Sequence, residues 1–214
     1  MGTSVNLAVI YYSSTGTGTN IAAEISSAAE LLGADVRLRQ VNELAPQSVI
    51  EAVPAWAAHH TAHVDRPRAT LDDVEWADAV IFGSPTRFGN IASQLKQFFD
   101  TLSPLWISGN LAEKVYSGFT SAGTRHGGHE TTLLAMYNSI HHFGGVIVPP
   151  GSAAEAKQAD GNPYGTSHHA AFGGVPGTID EVTAAAARHQ AVRVVQVASA
   201  LKTGRQAQYG STRD

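Results

Sequence analysis

The sequence predicts an α/β protein: a doubly wound, five-stranded parallel sheet with helices on both faces. Three observations carry this. Short apolar runs alternate five times with segments of helical periodicity, the pattern of strands joined by crossover helices. Three of the runs end in long stretches rich in Gly, Ser and Thr, at 13–19, 84–90 and 121–128. With 43% hydrophobic and 15% charged residues in 214, the chain can bury a large core.

Val5–Tyr12 is the first apolar run and reads as a buried strand. Asn20–Leu32 spaces Ile21, Ile25, Ala28, Leu31 and Leu32 near helical intervals, and Gly33 stops it. Val36–Val41 alternates as a second strand. Ala79–Phe82 is a third, followed by "SPTRFGN" and a helix from about Ile91 to Leu102. Val115–Thr120 is a fourth, followed by "SAGTRHGGHE" and a helix reaching His142; Val146–Val148 is a short fifth. Thr178–Lys202 is the last helix, with Asp180 and Glu181 in its first turn, where the helix dipole favours them. The expected organisation is one domain over 1–204 with an insertion at about 42–75, then a polar tail over 205–214 that frays. The insertion holds Trp56, Pro46, Pro54 and Pro67. It is long for a connector and is expected near a subunit contact or over the pocket.

A net charge of −4 without a basic cluster argues against a nucleic-acid face. The absence of cysteine removes disulfides, thiolate metal sites and a Cys nucleophile, and suits the cytoplasm. The first twelve residues lack the basic n-region of a signal peptide, and the apolar runs are too short to span a membrane. Ten histidines raise a metal site. His59 and His63 lie four apart and His126 and His129 three apart, but no carboxylate pattern completes either set, so no metal is expected.

Ligands of such sheets sit beyond the carboxyl ends of the strands, so the three Gly/Ser/Thr-rich loops are expected to form one site. In the first, Ser13, Ser14, Thr15, Thr17 and Thr19 offer hydroxyls, while Gly16 and Gly18 let backbone N–H groups converge. The following helix adds its dipole, and the set suits a dianionic phosphate. A plain helix cap would need one hydroxyl only. No Gly-Lys-Ser/Thr motif is present, so this is no Walker loop. Gly16-Thr17-Gly18-Thr19-Asn20 reaches Ile21 where a dinucleotide fingerprint needs its third glycine, and no acidic residue ends the second strand. A single phosphomonoester, as on flavin mononucleotide (FMN), fits better.

The blocks "YYSSTGTGT", "FGSPTRFGN", "LWISGNL", "TSAGTRHGGHETTL", "HHFGGVIVPPG" and "NPYGTS" together resemble the WrbA family of flavodoxin-like NAD(P)H:quinone oxidoreductases, over nearly the whole chain. The resemblance implies a flavodoxin-like sheet of order 2-1-3-4-5, bound FMN, NADH or NADPH as co-substrate, two-electron reduction of a quinone, and a homotetramer. Two departures stand out. Flavodoxins usually carry Thr where Gly18 stands. The third loop is also slightly longer, with Arg125 and His126 where the family tends to have small residues.

Residues 13–18 are thus the expected phosphate contacts. By resemblance, Pro85, Thr86, Arg87, Phe88 and Gly89 contact the flavin, with backbone N–H groups of Thr86–Phe88 at its pyrimidine edge. Phe88 could instead be core and Arg87 could pair with a partner subunit's carboxylate. Ser121, Ala122, Gly123, Thr124, Arg125, His126 and Gly127 would flank the ring and ribityl chain. Trp106 reads as a packing anchor from sequence alone; resemblance makes it a quinone-binding wall from a neighbouring subunit. From sequence alone His142, beside His141, is a helix-end dipole partner or a core residue; resemblance makes it an FMN-side histidine that binds the cofactor, donates a hydrogen bond to flavin or quinone oxygen and supplies a catalytic proton. An electron carrier, or an FMN-loaded partner of a transcriptional regulator, is the alternative to an enzyme. Carriers tend to be far more acidic than this chain.

Overall fold

A computed structural model describes residues 4–171 and 174–210. The elements run β1 (Asn6–Tyr11), α1 (Thr17–Leu31), β2 (Asp35–Gln40), α2 (Gln47–Glu51), α3 (Pro54–Ala62), α4 (Leu71–Trp76), β3 (Ala79–Pro85), α5 (Ser93–Thr101) and α6 (Ser103–Ile107). They continue with β4 (Val115–Ala122), α7 (His129–Phe143), β5 (Val146–Ile147), α8 (Glu155–Asp160), β6 (Thr166–His169) and α9 (Glu181–Gly210). The sheet is parallel in the order β2-β1-β3-β4-β5, as expected.

Strand alternation explains why β1 is apolar from Leu7 to Tyr11. Ala8, Ile10 and Tyr12 pack on one face with Leu95 and Phe99 of α5 and Leu133, Met136 and Ile140 of α7. Leu7, Val9 and Tyr11 pack on the other with Ile21 and Ile25 of α1 and Ala187, Ala191 and Val194 of α9. Burying a side chain of Leu or Ile size is worth roughly 1.5–3 kcal/mol, so each layer supplies a substantial share of the stability.

Four features depart from the sequence expectation. First, β6 is an unforeseen sixth strand. It pairs with β4 at Phe119–Ala122, while β5 pairs with β4 at Val115–Tyr116, so two short segments share one edge. β6 is polar ("TSHH") and is held by hydrogen bonds. The Gln190 side chain accepts from Thr166 N (2.9 Å) and donates to Ser117 Oγ (2.7 Å) and Gly118 O (2.8 Å). Second, helix and strand ends consume much of each expected loop: α1 begins at Thr17, β3 runs to Pro85 and β4 to Ala122. Third, α9 starts one residue after Asp180, whose carboxylate caps it by accepting from Thr183 N (2.8 Å). Fourth, α9 continues to Gly210, past Gly204, with Arg205 ion-paired to Glu113.

Between β5 and β6, α8 carries a buried ion pair. Lys157 and Asp160 side chains are 0% and 2% exposed. Lys157 Nζ also donates to Gly165 O (3.0 Å), and Asp160 accepts from Asn162 N and Ser167 N.

The expected insertion folds as α2, α3 and α4. Pro54 opens α3 in the first turn, where its missing N–H costs nothing. Glu43 ties the start of this segment to the sheet. Its carboxylate accepts from Tyr12 OH (2.9 Å), Trp56 Nε1 (3.0 Å), Gln94 Nε2 (2.7 Å) and the Leu44 and Ala45 amides. Burial favours the neutral acid, but these donors outweigh it and hold the carboxyl below its usual range.

Candidate functional site

The three loops meet at the carboxyl edge of the sheet. They surround a cavity of about 140 Å³ lined by Ser13–Thr15, Thr17, Gly18, Pro85–Arg87, Ser121–Gly123 and Ala170. In the first loop, Gly16 is the N-cap of α1 with φ +103°, a conformation that other residues rarely adopt. Ser13 Oγ accepts from Gly16 N (3.1 Å) and closes the turn. The first helical bond is Asn20 N to Gly16 O (3.0 Å), so the N–H groups of Thr17, Gly18 and Thr19 precede the helix ladder. A Cβ on Gly18 would lie 3.1 Å from Tyr12 O and 3.3 Å from Ser13 Cβ, which explains glycine where flavodoxins carry Thr. Hydroxyls, unspent N–H groups and the dipole of α1 together fit a phosphomonoester.

The cradle is not served by neutral donors alone. Arg87 bends toward it from the second loop, with Nη2 3.5 Å from Ser14 Oγ and Nη1 bonded to Thr86 O (3.0 Å). The second loop is a tight turn: Arg87 N donates to Asn90 O (2.7 Å) and Asn90 N to Arg87 O (3.1 Å). Its central residues, Phe88 and Gly89, have φ of +54° and +74°. Positive φ at a bulky residue is strained. It throws Phe88 wholly outward, at 107% of its reference exposure, which removes the core reading of this side chain. The expected row of flavin-facing amides is thinner than thought. Thr86 N is bonded to Ser121 O (2.8 Å) and Arg87 N to Asn90 O, which leaves the Phe88 N–H.

The third loop locks against the second. Thr86 Oγ1 donates to Gly127 O (3.1 Å) and accepts from Thr132 Oγ1 (2.8 Å). A Cβ on Gly128 would lie 2.7 Å from Gly89 Cα, so the two loops touch backbone to backbone. Ser121, Ala122 and Gly123 face the cavity. Thr124, Arg125, His126 and Gly127 lie beyond its lining. Arg125 turns to a separate polar cavity of about 450 Å³ with His129, Glu130, Asp160, His169 and Asp180.

Trp106 and His142 are together but elsewhere. Trp106 Nε1 donates to His142 O (2.9 Å), and both line an apolar notch of about 250 Å³ with Phe99, Leu102, Ser103 and Phe143. His142 sits in the last turn of α7, whereas Thr86 of the cavity lining is bonded to Thr132 in its first turn. Fifteen helical residues put the helix's two ends about 20 Å apart. Trp106 is 57% exposed. Among the described residues no three His, Cys, Asp or Glu side chains are grouped to hold a metal, and no helix is long and apolar enough to cross a membrane.

Sequence reasoning weighed His59 only as a metal ligand and missed that it stands behind the cradle. Its Nε2 lies 2.9 Å from Thr19 Oγ1. No spacing signal links residues 40 apart; only the fold brings α3 beneath the first loop.

Fold and site define a flavodoxin-like α/β protein whose loop cluster suits the phosphate of FMN. The chain belongs to the NADPH-dependent FMN reductase family, whose profile matches residues 5–160, and within it to the NAD(P)H dehydrogenases (quinone). It is 47% identical to one of these from Deinococcus radiodurans over 198 residues, 92% of this chain and 97% of that protein. It is 40% identical to another from Azorhizobium caulinodans, over 90% of this chain and 96% of that one. Among solved structures it is similar to a WrbA-like flavodoxin from Agrobacterium tumefaciens, with a TM-score of 0.62 at 24% identity, covering 91% of this chain and 98% of that one. It is also similar in fold to an archaeal flavodoxin, with a TM-score of 0.57 at 14% identity, covering 90% and 98%.

Proposed function

We propose that this chain reduces quinones by two electrons at the expense of NADH or NADPH, in ping-pong order at a single pocket. The convergence of three loops on one phosphate cradle carries the reading, and the names of its relatives support it. Bound FMN would supply the two-electron relay between dinucleotide and quinone. Ser13–Gly18 hold its phosphate on the α1 N-terminus, and Arg87 adds positive charge. Phe88, fully exposed on the second loop, would offer an apolar flank to the flavin. Thr86 stiffens the second and third loops so that Ser121–Gly123 keep a fixed wall, with Thr124–Gly127 closing it from outside.

Trp106 and His142 act in this scheme from a second copy, since the pocket of their own chain is too far. Trp106 stacks on the quinone, and His142 donates a hydrogen bond and a proton as charge grows on the quinone oxygen. Exposed Phe88, Trp106 and Ile107 are apolar surface suited to such a contact. The assembly is a homotetramer with dihedral symmetry, the common arrangement of four identical chains. The enzyme works in the cytoplasm, as a single domain with its insertion.

The test is steady-state NADH oxidation by FMN-loaded protein with and without benzoquinone, beside light scattering. Oxidation that depends on the quinone and a tetramer's mass are expected. Flavin that is bound but turns over no quinone would mark an electron carrier, and a monomer at tens of micromolar would remove the shared pocket.

A further inference from the structure

Behind the phosphate cradle lies a histidine that no step above uses. His59, on α3 of the insertion, is 8% exposed. Its Nε2 meets Thr19 Oγ1 at 2.9 Å, inside the first turn of α1. Its ring also supports the loop backbone: a Cβ added to Gly16 would lie 3.3 Å from His59 Cδ2. It also lies against His63 (centroids 4.2 Å apart, planes tilted by 32°), whose Nδ1 bonds back to His59 O (2.8 Å). Nδ1 of His59 is buried and has no partner. The Nε2–Thr19 contact is therefore the ring's one close side-chain hydrogen bond, whichever of the two groups carries the proton.

From this geometry we infer that His59 is a positioning residue for the cofactor phosphate: it fixes Gly16 and Thr19 so that the first-turn amides of α1 face the phosphate, and thereby sets the preference for FMN over unphosphorylated riboflavin. The inference rests on the FMN reading above. Burial, with His63, Arg66 and His60 nearby, lowers the pKa of the ring to about 4 and keeps it neutral. A neutral ring with one proton is what a fixed strut to a hydroxyl requires. The insertion is then part of the cofactor site, although none of its residues lines the cavity between the loops. The small-residue loop in front cannot hold itself in shape, because Gly16 and Gly18 contribute no side chain. A rigid ring behind it supplies what they lack.

The experiment measures dissociation constants of FMN and riboflavin by quenching of flavin fluorescence. It uses the full chain and the variants His59→Ala, His59→Gln and Thr19→Val, with circular dichroism melts as a check on folding. Loss of a hydrogen bond that orders charged-group donors should raise the FMN constant of His59→Ala roughly tenfold or more, with riboflavin within about twofold by the same argument. Gln places an amide where Nε2 stands and should recover most of the affinity. Thr19→Val should match His59→Ala, and the double variant should be no worse than either. An unchanged FMN constant in folded His59→Ala, or equal losses for FMN and riboflavin, overturns the inference. If the unaltered protein takes up neither flavin, the FMN reading itself has failed.

Discussion

Lys157 and Asp160 form an ion pair sealed between α8, β6 and α9, and breaking it on one side should be far worse than removing it whole. Both side chains are essentially without solvent. Burial pulls the ammonium down and pushes the carboxyl up, each opposed by the other's charge. Lys157→Met leaves a buried carboxylate with only the Asn162 and Ser167 amides. Asp160→Asn leaves a buried ammonium facing a neutral side-chain amide and Gly165 O, with no charge partner. Each single change should cost about 3–5 kcal/mol, the usual penalty of an uncompensated buried charge. The pair Lys157→Met with Asp160→Asn removes both charges and should return to within about 2 kcal/mol of the parent. Native stabilities are only about 5–15 kcal/mol. At roughly 2–4 °C per kcal/mol for a chain of this size, each single variant should melt about 6–20 °C lower. Urea unfolding at pH 7 followed by circular dichroism gives the cycle. A double variant as unstable as the sum of the singles would refute the reasoning, since the losses would then be of packing and not of charge pairing.

Thr15→Ala or Thr17→Ala should each weaken FMN by the loss of one hydrogen bond to a charged group, roughly 1.5–3 kcal/mol, read by fluorescence titration. Trp106→Ala should mainly raise the quinone KM, because a stacking wall holds ground and transition states alike. His142→Ala should lower kcat about 10²-fold if its proton is used; an unchanged kcat with FMN fully bound would make it architecture. Acid should destabilise the fold before it titrates the carboxylates. His59 titrates at about 4 in the folded chain against its ordinary 6.5, and burial also lowers His168. Between those values the unfolded chain binds a proton that the folded chain refuses. Stability is therefore full above about pH 6.5 and falls toward pH 4, by on the order of 3 kcal/mol for His59. Melts from pH 8 to 4 should show this loss, and His59→Gln should flatten it.

The central strands were legible because β1, β3 and β4 are buried on both faces and so carry apolar runs such as Leu7–Tyr11 and Ala79–Phe82; their order came from the resemblance. The cradle was legible too, since a phosphate site at a helix N-terminus is local: Ser13 through Thr19 are contiguous. What escaped the sequence is what depends on distant partners. β6 carries Ser and two His, and takes its place through Gln190 on α9, so no apolar pattern announces it. In the insertion no helix was assigned, yet Pro54 stands in a helix's first turn. The amides of Thr86 and Arg87 are claimed by Ser121 and Asn90, contacts that span or fold back on the chain. Trp106 and His142 were expected at the pocket; sequence could pair them with each other no better than with a flavin. Beyond Gly204 the expected tail is helix as far as Gly210, with Arg205 paired to Glu113, and 211–214 lie outside the described residues.

The divided edge of the sheet has a bearing on how copies of this chain can meet. An unpaired strand flank is a template for another chain, and long flat ones invite fibre growth. Here one flank is two residues of β5 and four of β6, separated by an excursion through α8. The opposite flank, β2, carries Arg37 and Arg39, pinned by Asp72 and Asp73 of α4, and its end is bridged by Arg68. Neither side offers a long ladder of free amides and carbonyls. Any contact between copies would therefore be made by side chains on helices and loops and not by extension of the sheet.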